Sequence, residues 1–298
     1  MRRGAAAATG LLALVPLVLW VVVSRRDHYF RDELYFVIAG RHLDLGYVDF
    51  PMMTAVLAAL SDGLFGDSLV RLRLFPALAG SATVVLTALM AREMGGQPLA
   101  QVLAALATLV APVFLATNAL FGPDAVDRTL WVAGCLVLAR MLHHDAPRLW
   151  LAFGAIAAVG LLTKLTMLLF GFAVVVGLLA SAKWRLVVSP WALGGGAIAC
   201  AGLAPYLLWQ RHHGWPTVLF WSNYGGKLAD LSWGEFAGQQ ILGMNPATAP
   251  LWPASPSCWS RGPAAPSARS GSRSSPQALR LATRAITVTG RPHVYCQR

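Results

Sequence analysis

The chain has 298 residues, of which 56% are hydrophobic and only 12% charged, with a mean hydropathy of +0.57. A soluble domain averages about 25% charged residues, so the composition excludes an ordinary soluble enzyme and indicates an all-α polytopic membrane protein. The formal charge of +11 does not mark a nucleic-acid binder, because residues 253–298 hold seven Arg and no acid and the remainder is only modestly basic.

Met1-Arg2-Arg3 and the apolar stretch Ala5–Val23 open the chain. As a helix this stretch is about 28 Å long, enough to span a bilayer. The VVVSRRD that follows is not a small-residue cleavage site, so the stretch reads as an uncleaved first span with a cytoplasmic N-terminus. In the loop after it, Leu34–Leu43 has apolar residues at helical spacing, and Met52–Phe65 is apolar but bounded by Pro51, Gly63 and Gly66. Both are expected as helices lying in the interface plane. Further spans are expected at 71–91, 98–116, 128–142, 149–163, 165–182 and 190–208, with a short, incomplete one at 239–252. Residues 1–252 thus form one membrane domain. Beyond Trp252 the pattern stops, and 253–298 is rich in Ser, Pro and Arg with no apolar period. It reads either as a disordered basic tail or, preferably, as a truncated or frameshifted end that interrupts a longer bundle. Cys135 and Cys200 lie in apolar runs, Cys258 and Cys296 in the tail, and none has metal or redox spacing.

With the N-terminus inside, the inner segments hold seven basic and two acidic residues, net +5, while the outer segments of 1–252 sum to −1. That asymmetry agrees with the positive-inside rule. Eleven of the thirteen Asp and Glu fall outside, and carboxylates beside a bilayer are costly unless solvated, paired or used. The outer face is therefore where chemistry is expected.

Five outer or boundary segments stand out: RDELYF at 31–36, GYVDFP at 46–51, LFGPDAVDRTLW at 120–131, GLLTK at 160–164 and PYLLWQRHHGWPTVLF at 205–220. In this order they resemble the C-type membrane glycosyltransferases of the family-39-like group, which includes protein O-mannosyltransferases and lipid A aminoarabinose transferases. The resemblance covers about residues 10–252. It implies a C-type glycosyltransferase-like transmembrane bundle with interfacial helices in the first outer loop, and catalysis on the non-cytoplasmic face of the cell membrane. It further implies a polyprenyl-phosphate sugar as donor, a lipid, glycan or protein as acceptor, and inversion at the anomeric centre. By position the acid that activates the acceptor is Asp32, with Glu33 beside it, and the second-loop acid is Asp127 or Asp124. The chain departs from the pattern at Pro51-Met52, where relatives usually have Pro-Pro, and at Phe50, where some carry a basic residue.

Transfer from a lipid phosphate needs a base for the acceptor proton, a cation for the leaving phosphate and apolar surface for the polyprenyl chain. Asp32 is the candidate base, and Glu33 next to it supplies a like charge that would strengthen it; the plainer alternative is that Asp32 caps a helix and pairs with Arg31. Asp49 is a candidate for sugar hydroxyls or a metal, or else a turn residue. Asp127 and Asp124 are candidates for orienting the acceptor or a cation, against a plain helix cap. Lys164 is a candidate phosphate contact or a snorkelling side chain, with Arg31, Arg128 and Arg211 as rivals. His213 and Trp215 are candidates for shaping the substrate cleft, or interface anchors. A divalent cation is one candidate cofactor. Two other readings stay open, an inactive remnant of such an enzyme and a lipid-linked-sugar flippase. The second is disfavoured because mid-span residues are Ala, Leu, Val and Gly rather than ionisable ones.

Overall fold

The computed structural model describes residues 3–181, 183–224 and 232–246. The described chain is all-α; its one extended pairing is an isolated bridge between Gly46 and Pro51. The helices are α1 (Arg3–Ser24), α2 (Arg31–Arg41), α3 (Met53–Phe65), α4 (Leu69–Leu72), α5 (Leu74–Glu93), α6 (Pro98–Leu109) and α7 (Pro112–Ala119). After them come α8 (Pro123–His144), α9 (Leu149–Thr163), α10 (Thr166–Leu179), a 3-10 turn at Trp184–Leu186, α11 (Pro190–His212), α12 (Pro216–Tyr224) and α13 (Trp233–Gly243).

Prolines set many of these starts: α6, α7, α8, α11 and α12 each begin on one. Proline at the first helical position gives up an N–H that has no helical partner and ends any helix before it. Pro112 shows the consequence. The stretch 98–116, expected as one span, is broken ahead of Pro112 and bent by 61° between α6 and α7. α1, the Leu69–Glu93 stretch and α11 are long and apolar enough to cross a membrane, and the bent pair makes a fourth candidate among the described residues. α9 and α10 are shorter apolar helices. α8 contains the span expected at 128–142 but starts at Pro123, which takes Asp124, Asp127 and Arg128 into its first turns.

Of the span expected at 239–252, residues 239–246 are described. Ser232 Oγ accepts from Glu235 N at 3.2 Å, starting α13 earlier, and that helix ends at Gly243. Residues 247–252 and the tail 253–298, with Cys258 and Cys296, lie outside the described residues. α2 and α3 occupy the two places expected for interfacial helices, and both leave apolar side chains exposed, among them Leu34, Ile38, Leu60 and Leu64.

Two apolar clusters hold the bundle. Met141, Trp150, Phe153, Phe170 and Val174 pack α8 to α10 together, with α11 against them. Ala13, Val84, Ala88, Ala105 and Leu109 join α1, α5 and α6. α5 and α8 connect the two halves, with the Thr83 and Thr129 hydroxyls 2.8 Å apart between them. α9 and α11 approach most closely. A Cβ on Gly195 would stand 2.3 Å from Trp150 O, and one on Gly154 would stand 2.2 Å from Gly195 O. Small residues permit such backbone contact where lipid provides no hydrophobic drive for helix association.

The connections expected outside meet at one end of the bundle, and those expected inside meet at the other. Gly195→Leu should lower the thermal midpoint of the detergent-purified protein, an overpacking cost of about 1–3 kcal/mol or more. Gly196→Leu is the control, since nothing lies within 4 Å of a Cβ there. Equal midpoints for the two variants would refute close α9–α11 packing.

Candidate active site

Glu33 sits in the first turn of α2 and is 0% exposed; Arg73, at the start of α5, is 1% exposed. Arg73 Nε donates to Glu33 Oε1 at 2.7 Å and Nη2 donates to Oε2 at 2.7 Å. Phe121 N donates to Oε1 at 2.8 Å, and Phe30 N donates to Oε2 at 2.9 Å. All four acceptor positions of the carboxylate are thus used. Arg73 also donates to Asp27 Oδ2 at 2.8 Å and to His28 O at 3.1 Å. One ion pair therefore ties the loop after α1, the start of α2, the start of α5 and the loop before α8. The Arg73 hydrogen bond, ahead of a bond from His28 N, holds the Asp27 carboxyl below its ordinary pKa. Glu33, expected in a catalytic role with its charge acting on Asp32, is instead enclosed and neutralised. It positions its neighbours and has no open oxygen for a substrate.

Asp32 is the adjacent residue but faces outward. A helix turns about 100° per residue, so burying Glu33 leaves Asp32 on the open side, with its side chain 55% exposed and 3.3 Å from Arg31 Nε. Phe30 occupies the cap position, so Asp32 is not the helix cap. Tyr35, three residues on along the same face, donates its hydroxyl to Asp49 Oδ1 at 2.7 Å. Partial burial, and then that bond to Asp49, raise the Tyr35 pKa, so the phenol stays a donor at neutral pH. Asp49 is exposed in a turn where Tyr47 N bonds Phe50 O at 3.0 Å, stiffened by stacking of Tyr47 on Phe50 at 4.6 Å. Phe36 packs between Phe50 and Phe121, which binds this loop to the next.

The second group of acids lies at the start of α8. Lys164 Nζ donates to Asp124 Oδ1 at 2.5 Å, so the lysine is paired rather than reaching for solvent alone. Asp127 lies inside α8, not at its cap, and is 8% exposed. Its Oδ2 accepts from Thr166 Oγ1 at 2.7 Å, while Oδ1 is buried without a hydrogen-bond partner among the described residues. Arg128 turns away toward Thr117 and Asn118 and lies 4.4 Å over the Phe114 ring.

The third wall is the turn between α11 and α12. Thr217 Oγ1 donates to Val48 O and receives Tyr206 and Gln210, while Trp209 Nε1 donates to Asp44 Oδ2 at 2.7 Å. Gly46 is required for this docking, since a Cβ there would be 2.6 Å from the Tyr206 ring. His213 stacks on Trp209 at 4.4 Å, with Nδ1 2.9 Å from Trp209 O. Trp215 stands at φ 62° directly after Gly214 at φ 74°, which leaves its ring exposed. Arg211 is exposed on the last turn of α11. This segment, expected as interface anchors or cleft wall, thus closes over the Asp49 loop.

Among the described residues no group of three or more His, Cys, Asp or Glu is placed to hold a metal ion. What the end of the bundle presents is exposed carboxylates, Asp32 and Asp49, near a fixed phenol. The same end of the bundle also carries a second carboxylate pair with a lysine and an aromatic wall. Such a set can take a proton from a hydroxyl and hold an anion. Nothing in the sequence by itself marks Arg73, Tyr35, Thr166 or Thr217. Arg73 looks there like Arg71, and only its burial separates the two.

Arg73→Ala should cost about 3–5 kcal/mol, because it leaves a buried carboxylate uncompensated; loss of monodisperse protein on size exclusion, or a large fall in thermal midpoint, checks it. Arg71→Ala should be nearly silent. The Asp27 carboxyl has a lowered pKa in the fold, so its contribution is present above about pH 4 and fades as pH falls through the folded value. Asp27→Asn should therefore flatten the acid limb of a stability–pH profile.

A sequence profile of the dolichyl-phosphate-mannose-protein mannosyltransferase family matches residues 49–209. The match includes Asp49, Asp124, Asp127 and Lys164 and begins after Asp32 and Glu33. No curated protein and no solved structure matches the chain. The profile covers more than half of the sequence, and the chain belongs to the dolichyl-phosphate-mannose-protein mannosyltransferase family.

Proposed function

We propose that the protein is an inverting glycosyltransferase that moves a sugar from a polyprenyl-phosphate donor to a hydroxyl of a lipid, glycan or protein acceptor. The observation that carries this reading is the pairing of opposite environments at Asp32 and Glu33. One carboxylate is locked by an arginine, and the next is held open on the same rigid turn. Asp32 takes the acceptor proton as the new glycosidic bond forms and the polyprenyl phosphate leaves with the electrons of its bond to the anomeric carbon. Asp49, fixed by Tyr35, contacts sugar hydroxyls. Asp127 and Asp124 orient the reactants, and Lys164 meets the leaving phosphate by exchanging Asp124 for it. Arg211, His213 and Trp215 form the wall along which donor and acceptor lie. Family membership supports the donor class, and the charge asymmetry supports an extracytoplasmic site end, a cytoplasmic N-terminus and a cell-membrane location. The membrane domain is assigned to residues 1–252 and the basic tail to 253–298.

The test uses the full chain in proteoliposomes with radiolabelled polyprenyl-phosphate mannose, reading release of polyprenyl phosphate. Asp32→Asn should lower the rate by about a hundredfold or more while leaving the thermal midpoint unchanged. A wild-type rate in that variant would sink the assigned role. Asp49→Asn should act mainly on the donor concentration needed for half-maximal rate.

A further inference from the structure

The end of the bundle opposite the candidate active site carries a second built feature. A cleft of about 360 Å³ opens where α5 and α8 end, lined by Leu89, Arg92, Glu93, Arg140, His143 and His144. Glu93 is its single acid. It is held by Arg140 Nε at 3.5 Å and by His144 Nε2 at 2.8 Å, with His143 Nδ1 at 4.0 Å. Arg92 is exposed and makes no ion pair among the described residues. Two arginines against one glutamate leave the cleft positive even with both histidines neutral.

Basic residues at two helix C-termini are partly explained by the helix dipoles. That explanation accounts for neither a cleft of this size nor an arginine in it without a carboxylate. The cleft also lies at a defined depth. It sits at the end of Leu69–Glu93, a stretch long and apolar enough to cross a membrane, with Leu89 one turn further in as its apolar wall. A phosphate diester with an acyl chain beside it matches both parts, the donors at the rim and the hydrocarbon wall below. We propose that this cleft is a binding site for the headgroup of an anionic phospholipid. Arg92 and Arg140 contact the phosphate, while His143 and His144 flank Glu93 at the rim.

The experiment takes the full chain, delipidated in neutral detergent, and titrates phosphatidylglycerol, phosphatidylcholine and inorganic phosphate separately, counting bound lipid by native mass spectrometry. Wild type should hold phosphatidylglycerol in preference to phosphatidylcholine. Arg92→Gln with Arg140→Gln should weaken phosphatidylglycerol binding by about tenfold or more. Arg92→Gln alone, at an exposed and unpaired residue, should weaken it several-fold without disturbing the fold. The control is Arg148→Gln with Arg185→Gln, which removes the same charge at the same end but from side chains lying over Trp191 and Trp184. It should change binding less than twofold. An equal loss in the control would mean general surface charge and overturn the site. So would wild type lacking the lipid preference, or inorganic phosphate binding as tightly as the lipid.

Discussion

The structure depends on one buried ion pair. Removing a carboxylate and a guanidinium from water costs several kcal/mol each, and the loss is offset only when geometry and further hydrogen bonds are good. Glu33 and Arg73 meet that condition with a two-pronged contact and with backbone N–H groups from Phe30 and Phe121 filling the remaining acceptor positions. The value of such a pair lies less in net stability than in exclusion. Any slip of the loop after α1, of α5 or of the loop before α8 would leave a charge unpaired in the interior. Three stretches distant in sequence, around Asp27–Glu33, Arg73 and Phe121, are held in one register by that penalty.

The same constraint separates the environments of two neighbouring acids. Because Glu33 must point inward, Asp32 must point outward. The first turn of α2 cannot then rotate to exchange them. The aromatic packing of Phe36, Phe50 and Phe121 extends this rigid platform to the Asp49 turn and the start of α8. The Thr217 hydroxyl carries it to the α11–α12 turn. A site on loops becomes as well positioned as one on helices because a buried polar or aromatic contact fastens each loop to the next.

The two ends of the bundle are built differently. At the candidate active end, acids outnumber bases, and one buried pair, Glu33 and Arg73, is used internally. At the other end a lone glutamate is surrounded by arginine and histidine around an open cleft. Between them the helices meet through small residues and hydroxyls, as at Gly154 and Gly195 and at Thr83 and Thr129. A membrane interior that offers no water for charges leaves such groups to the ends.

Composition and the spacing of apolar runs were enough to determine an all-α membrane chain and the positions of α1, α5, α9, α10 and α11. Those properties follow from hydrophobicity and charge, which are local and additive along the chain. The break ahead of Pro112 was also readable in principle, since proline's missing N–H acts on its own helix. What only the tertiary structure decided was which charges are used up. Asp32 and Glu33 are equivalent in a sequence, as are Arg71 and Arg73. Their separate fates come from partners tens of residues away, Arg73 with Glu33 and Phe121, Lys164 with Asp124, Thr166 with Asp127. Burial is a property of the packed whole, and it alone distinguishes a carboxylate that holds the fold from one left exposed at its surface.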